Sequence, residues 1–217
     1  MDDAKGTTTQ GSTVEEWTSA LAESTGDPGG GAASGVMLAI AAALTSMVAG
    51  YTKPAPDRKG ELADLVERAL ELRRTALRLA DDDAAASSSF GAAFRLEPGE
   101  ERERAIQEAS VEAARASAAL GARADRAIVD LEWLAAHGNP TLVADLAVAC
   151  GALRAAVSGA RTNVSFDLAS LTSTGDSLPD VRERHPRLWE TVHQFDAAIV
   201  RIDALAAAID DRAAPTD

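Results

Sequence analysis

Aromatic side chains make up only 4% of the chain, and cysteine occurs once, at Cys150. A single cysteine excludes an internal disulfide, and its alanine-rich surroundings suit a small buried residue better than a reactive thiol. The shortage of aromatic residues argues against a sheet, because strands favour them along with β-branched side chains. Positive charge is also short. Twenty-one Lys and Arg face 34 Asp and Glu, for a net charge of −13. That balance argues against nucleic-acid binding, which needs cationic neutralisation of phosphates, and against an anionic membrane surface. His137, His185 and His193 are the only histidines, and none has a second ligand at metal spacing, so no metal is expected. No serine sits in an elbow motif, which removes support for a nucleophilic triad.

What the chain has in quantity is alanine in helical register. Hydrophobic residues are 46% of 217, enough for one domain with a sizeable core. Residues 1–12 are polar and Gly/Thr-rich and read as a disordered tail, followed by one domain over 13–213. Ser12-Thr13-Val14-Glu15 has a capping-box pattern before a short helix carrying Trp17 and Leu21. An apolar helix is expected over about 32–52, ending where Pro54 and Pro56 forbid continuation. Leu62, Leu65, Ala69, Leu72, Ala76 and Leu79 form a three-four seam that runs to about Leu96. Ile106 through Leu134 form another, closed by His137-Gly138-Asn139-Pro140. A further helix is expected from Thr141 to about Leu171, and a last one through Leu188, Phe195, Ile202 and Ile209. No segment shows convincing strand alternation. The expected fold is all-α, an up-and-down bundle of five or six antiparallel helices.

The stretch from Pro28 to Thr52 carries no charge, but its strongly apolar part, Val36 to Val48, is shorter than the roughly 20 residues that cross a bilayer. It reads as the core helix of a bundle with no membrane role. The acidic, polar N-terminus has no secretory pattern, so a cytoplasmic location is expected.

Pro28-Gly29-Gly30-Gly31 stands directly before this helix. Glycines there let another group approach the bare backbone, and a helix start offers unpaired N–H groups. The loop is therefore either a ligand site or a tight inter-helix turn. It is neither a dinucleotide fingerprint nor a P-loop, since no strand precedes it and no Lys-Ser/Thr follows. Asn163 and Asp167, four apart, share a helical face. Asp145 lies 18 residues before Asn163, about 27 Å along a helix at ~1.5 Å per residue. The two ends would serve different parts of a ligand, or symmetry would bring one from each of two chains together.

These segments together resemble the cyclodeaminase/cyclohydrolase family of folate enzymes. The likeness rests on Pro28-Gly29-Gly30-Gly31 with Met47-Val48-Ala49 and Thr52. It rests also on Asp81-Asp82-Asp83 leading to Ala93-Phe94-Arg95-Leu96, and on Asp145-Leu146 with Asn163-Val164. The resemblance implies a homodimeric helical bundle that holds a tetrahydrofolate derivative as substrate in a cleft lined by the glycine loop. Two reactions are implied at one amidine carbon. One is cyclodeamination of the formimino form, slightly preferred; the other is hydrolysis of the methenyl bridge. By the same resemblance, Asp83 and Asp145 are the catalytic candidates. Pro28, Gly29, Gly30, Gly31, Lys53, Asn163 and Asp167 are the substrate-binding candidates, with Arg58 and Lys59 completing a basic cluster for a glutamate tail. Asp167 stands where the family pattern has asparagine, Ser87 where it has an aromatic residue, and Glu97 where it has proline. A catalytically inactive or repurposed ligand- or partner-binding module is the alternative these departures favour.

Overall fold

The computed structural model describes residues 8–24 and 27–213. Among them are seven α-helices and no strand: α1 (Val14–Leu21), α2 (Gly30–Gly50), α3 (Lys59–Phe94), α4 (Glu100–His137), α5 (Val143–Ser170), α6 (Leu178–Arg184) and α7 (Pro186–Ala213). Five of these are long and make the bundle; α1 and α6 are short accessories. Residues 1–7 of the expected tail lie outside the described residues, and within its remainder the Thr9 N–H donates to Asp81 Oδ1 at 2.7 Å.

Capping and proline chemistry set most boundaries. The α1 cap falls one residue later than the sequence pattern suggests: Thr13 Oγ1 accepts from the Glu16 N–H, and the Glu16 carboxylate accepts from the Thr13 N–H. Ser177 and Asp180 repeat the device at α6. Sequence periodicity alone reads this stretch as a loop, because a seven-residue helix is too short to declare a period. His185 then separates α6 from α7, whose first residue is Pro186.

The helix α2 packs against α3 and α5, α4 against α3 and α5, and α7 against α5 and α4. One core cluster runs through Leu38, Leu65, Leu120, Leu131, Leu153, Leu168, Phe195 and Ile202. Small residues permit the closest approach. A Cβ on Gly35 would stand 2.7 Å from Ala80 Cβ and 3.1 Å from the Ala76 carbonyl oxygen, so α2 rests nearly on the backbone of α3. A second cluster seats Trp17 of α1 on Ala32 and Ala80, beside the glycine loop.

The two ends of α2 are held differently. At its C-terminus the Asn139 side-chain amide donates to the Tyr51 carbonyl at 3.2 Å, and the Asn139 N–H donates to Thr52 Oγ1 at 3.1 Å. That end is therefore tied to the α4–α5 turn. Since α5 departs from the same turn, it runs antiparallel to α2, and the last turns of α5 arrive beside the glycine loop. Gly30–Gly50 and Pro140–Ser173 are each long and apolar enough to cross a membrane by length and composition, whereas the sequence estimate counted only the shorter Val36–Val48 run. Within the bundle α2 buries eleven of its 21 residues.

Candidate active site

The glycine loop opens on a cavity of about 190 Å³ lined by Gly30 and Gly31 of α2, Asp83, Ser87 and Phe90 of α3, Ala113 and Ser117 of α4, and Asn163, Phe166 and Asp167 of α5. Four helices contribute to it. The Asp27–Pro28 peptide that enters the loop is cis. Larger grooves of about 500 Å³ lie elsewhere, one between α3 and α4 beside Arg68 and Asp130, the other near Arg115 and His185. Their lining carboxylates have cationic neighbours. The small cavity differs in holding two buried carboxyls, with no Lys, Arg or His among its lining residues.

Asp83, only 5% exposed, is fixed by donors from two directions. Ser117 Oγ donates to Asp83 Oδ1 at 3.2 Å, and the Ala32 N–H and the Ser87 hydroxyl also donate to this carboxylate. The Ala32 N–H belongs to the first turn of α2, where Gly29 offers no side-chain cap. Asp83 thus supplies from a different helix the acceptor that the α2 N-terminus lacks, and its charge faces the positive end of the helix dipole. Gly31 makes room for it. Burial nevertheless pushes the Asp83 carboxyl above the usual aspartate range, and the nearby Asp27 adds to the rise.

Asp167 is 8% exposed, and among the described residues its carboxyl takes part in no recorded hydrogen bond. Burial first, then the charge of Asp83, push it up to about 7. Asn163 lies one turn before it on the same wall. Phe166, 64% exposed, lines the cavity and stands at the protein surface.

The structure therefore gathers Gly30, Gly31, Asp83, Asn163 and Asp167, with Pro28 and Gly29 leading in. It does not bring Asp145 or Lys53 to them. Asp145 lies half-buried in the first turn of α5, and Lys53 is exposed beyond the C-terminus of α2. Each helix rises ~1.5 Å per residue, so both lie about 30 Å from the cavity within one chain. The basic cluster follows Lys53: Arg58 meets His137 Nδ1 at 2.8 Å, and Lys59 begins α3. Ser117 and Asp27 are site residues that sequence reasoning missed. For Ser117 a signal exists, a polar residue seven positions after the likewise buried Ser110 on the alanine seam of α4. No group of three or more His, Cys, Asp or Glu arranged to hold a metal occurs among the described residues. Cys150 is buried, and burial pushes its thiol up to about 11, so it is an unreactive core residue.

Such a cavity suits a small polar fragment that carries positive charge: it offers two carboxyls, hydroxyl groups and an amide, with no cation among its lining residues. Comparison with known proteins points the same way. Residues 13–176 match the family model described as formiminotransferase-cyclodeaminase. The chain is 31% identical over 198 residues to methenyltetrahydrofolate cyclohydrolase of Methylorubrum extorquens, covering 83% of this chain and 95% of that protein. It is also 31% identical over 187 residues to formimidoyltransferase-cyclodeaminase of Gallus gallus, which takes in 81% of this chain but 34% of that longer protein. Among solved structures, the formiminotetrahydrofolate cyclodeaminase of Thermotoga maritima superposes with a TM-score of 0.76 at 25% identity, over 94% of this chain and 96% of that one.

Proposed function

From its membership of the formiminotransferase-cyclodeaminase family, we propose that this protein is a folate one-carbon enzyme acting on the amidine carbon of formimino- or methenyl-tetrahydrofolate. One observation carries the reading: two buried carboxyls, Asp83 and Asp167, line a cavity with no basic residue. The one-carbon unit in either substrate is a carbon between two nitrogens, and it bears positive charge when protonated or bridged. An anion fixed beside that carbon stabilises the charge as it shifts, and a low-dielectric wall strengthens the effect. Asp83, held by Ser117 and the Ala32 N–H, is that anion. At about 190 Å³ the cavity takes the reacting end of the folate, while the remainder extends past Phe166.

Hydrolysis of the methenyl bridge adds water to the carbon, breaks one carbon–nitrogen bond and leaves a formyl group; one water proton ends on the freed nitrogen and the other is released. Cyclodeamination of the protonated formimino form closes the second carbon–nitrogen bond and expels ammonia, with the proton from the attacking nitrogen passing to the leaving one. Both need a positioned carbon and a group that takes and returns a proton. The match to the Methylorubrum cyclohydrolase over 95% of that protein supports the hydrolytic reading, and the Thermotoga structure supports the deaminating one.

The absorbance of methenyl-tetrahydrofolate tests the assignment. Accelerated loss of the signal from the methenyl form identifies hydrolysis; a gain from the formimino form with release of ammonia identifies cyclodeamination. No change with either substrate, alongside measurable folate binding, establishes a binding module instead.

We also propose a homodimer paired through α2 and α5. Met37, Ile40 and Met47 of α2 and its capping residue Tyr51 are exposed at three- and four-residue spacing around the half-buried Leu44, and Val148 and Phe166 are exposed on the neighbouring α5. In a chain of charge −13, α2 has no charged residue, which favours a second copy as the cover.

A further inference from the structure

We infer that Asp167 is the proton-carrying group of this site and that Asp83 remains the anion, so that the two carboxyls hold one proton between them. The inference rests on the folate reading above for its chemistry and on the cavity for its geometry. Two carboxyls on opposing walls of one small, desolvated space cannot both ionise without strong repulsion. Which one keeps the proton follows from their donors. The Asp83 carboxylate accepts from the Ser117 hydroxyl, the Ser87 hydroxyl and the Ala32 N–H, all of which favour its ionised form. Asp167 has no recorded donor among the described residues and feels the negative charge of Asp83.

Every element around the pair reinforces that asymmetry. From α3 the titratable neighbour is Asp83 itself, and from the loop before α2 it is Asp27, a third acid that acts on Asp83. The lining contributed by α2 and α4 is Gly30, Gly31, Ala113 and Ser117, none of which titrates. Asn163, on the same helix as Asp167, is a neutral amide. With no cation to draw it into the ionised form, Asp167 is pushed up to about 7, where a group gives and takes a proton with near-equal ease.

The step balances for either substrate. In cyclodeamination, the Asp167 carboxyl gives its proton to the departing nitrogen as the carbon–nitrogen bond breaks. The carboxylate left behind then takes the proton from the nitrogen that attacked, whose bond to the carbon has already formed, so the group ends as it began. In hydrolysis, ionised Asp167 takes a proton from the attacking water and delivers it to the nitrogen freed when the ring opens; the second water proton passes to solvent.

Asp167→Asn tests the assignment, because an amide keeps the shape and removes the titration. The expected result is a fall in kcat of roughly 10²- to 10⁴-fold with KM changed far less, and loss of the near-neutral limb of the pH–rate profile. Asp167→Glu should recover part of the rate with a displaced limb. Infrared difference spectra, recorded without substrate, should contain a protonated carboxyl band that titrates near neutrality and vanishes in Asp167→Asn. An unchanged rate and profile in the variant overturn the catalytic role; absence of the band overturns the shared proton. If the wild-type protein turns over neither substrate, the folate reading fails and the catalytic role with it, while the infrared titration still decides where the proton resides.

Discussion

A Cβ on Gly31 would stand 2.2 Å from both carboxylate oxygens of Asp83. The two residues are 52 positions apart in sequence, yet a side chain at position 31 would take the space that the Asp83 carboxylate fills. The glycine is required by a carboxylate of the protein itself, pressed against the start of α2. Gly30 differs, since nothing lies within 4 Å of a Cβ built there and its face lines the cavity.

Gly31→Ala is therefore expected to displace Asp83, remove an acceptor from the Ala32 N–H and lower stability by about 1–3 kcal/mol. Calorimetry should register a fall in Tm, and turnover should drop with it.

Gly30→Val should leave helix content unchanged by circular dichroism, while its side chain takes space at the cavity wall. Isothermal titration with a folate substrate should then show binding abolished. Retained affinity would mean that the substrate sits elsewhere.

Stability should depend on pH through Asp167. Its carboxyl titrates near 3.8 when unfolded and at about 7 in the fold, so between these values the native chain holds the additional proton. The contribution to stability is complete below about pH 4 and is lost as pH rises through 7. Asp167→Asn removes the cost of ionising this buried group, a few kcal/mol and about 4 at most. Thermal melts should show the variant above the wild type at pH 8, with the gap narrowing to less than half by pH 5 and closing below pH 4. A constant gap across that range would refute the buried titration.

At the far side of α3, Arg68 Nη2 meets Asp130 Oδ1 at 2.6 Å, with the Asp130 side chain 8% exposed and that of Arg68 56% exposed. Removing the arginine leaves a buried carboxylate alone. Arg68→Ala should cost about 1–2 kcal/mol, more than an exposed pair would, and adding Asp130→Asn should restore part of the loss. A double-mutant cycle by urea unfolding measures the difference.

Ile40→Glu with Met47→Glu places two charges on the exposed face of α2, whose neighbours include Met37 and Tyr51. Light scattering should report a dimer for the parent and a monomer for this variant. A monomeric parent would remove the pairing proposal.

Much of the bundle was legible because its seams are regular: the leucines from Leu62 to Leu79 recur at helical spacing, and Pro54, Pro98 and Pro140 mark the breaks. The site was legible in part. Gly30, Asp83, Asn163 and Asp167 stand out by residue type, and the structure brings them to one cavity. Asp145 and Lys53 were grouped with them through the family resemblance, although helical rise alone already set Asp145 about 27 Å from Asn163. The deciding fact is that α5 runs antiparallel to α2, which places Asn163 and Asp167 at the glycine end and Asp145 at the other. Ser117 went unread because its seven-residue spacing from Ser110 marks a buried face without naming a partner; its meaning comes from the Asp83 carboxylate across the helix interface.

Phe166 belongs to two surfaces at once, the wall of the cavity and the uncovered apolar face of α5. If two copies meet there, the ring that borders the substrate is seated by a neighbour, and protein concentration becomes a variable of catalysis. Specific activity would then decline on dilution at the same concentration at which the pair comes apart, and it would return on reconcentration with no refolding.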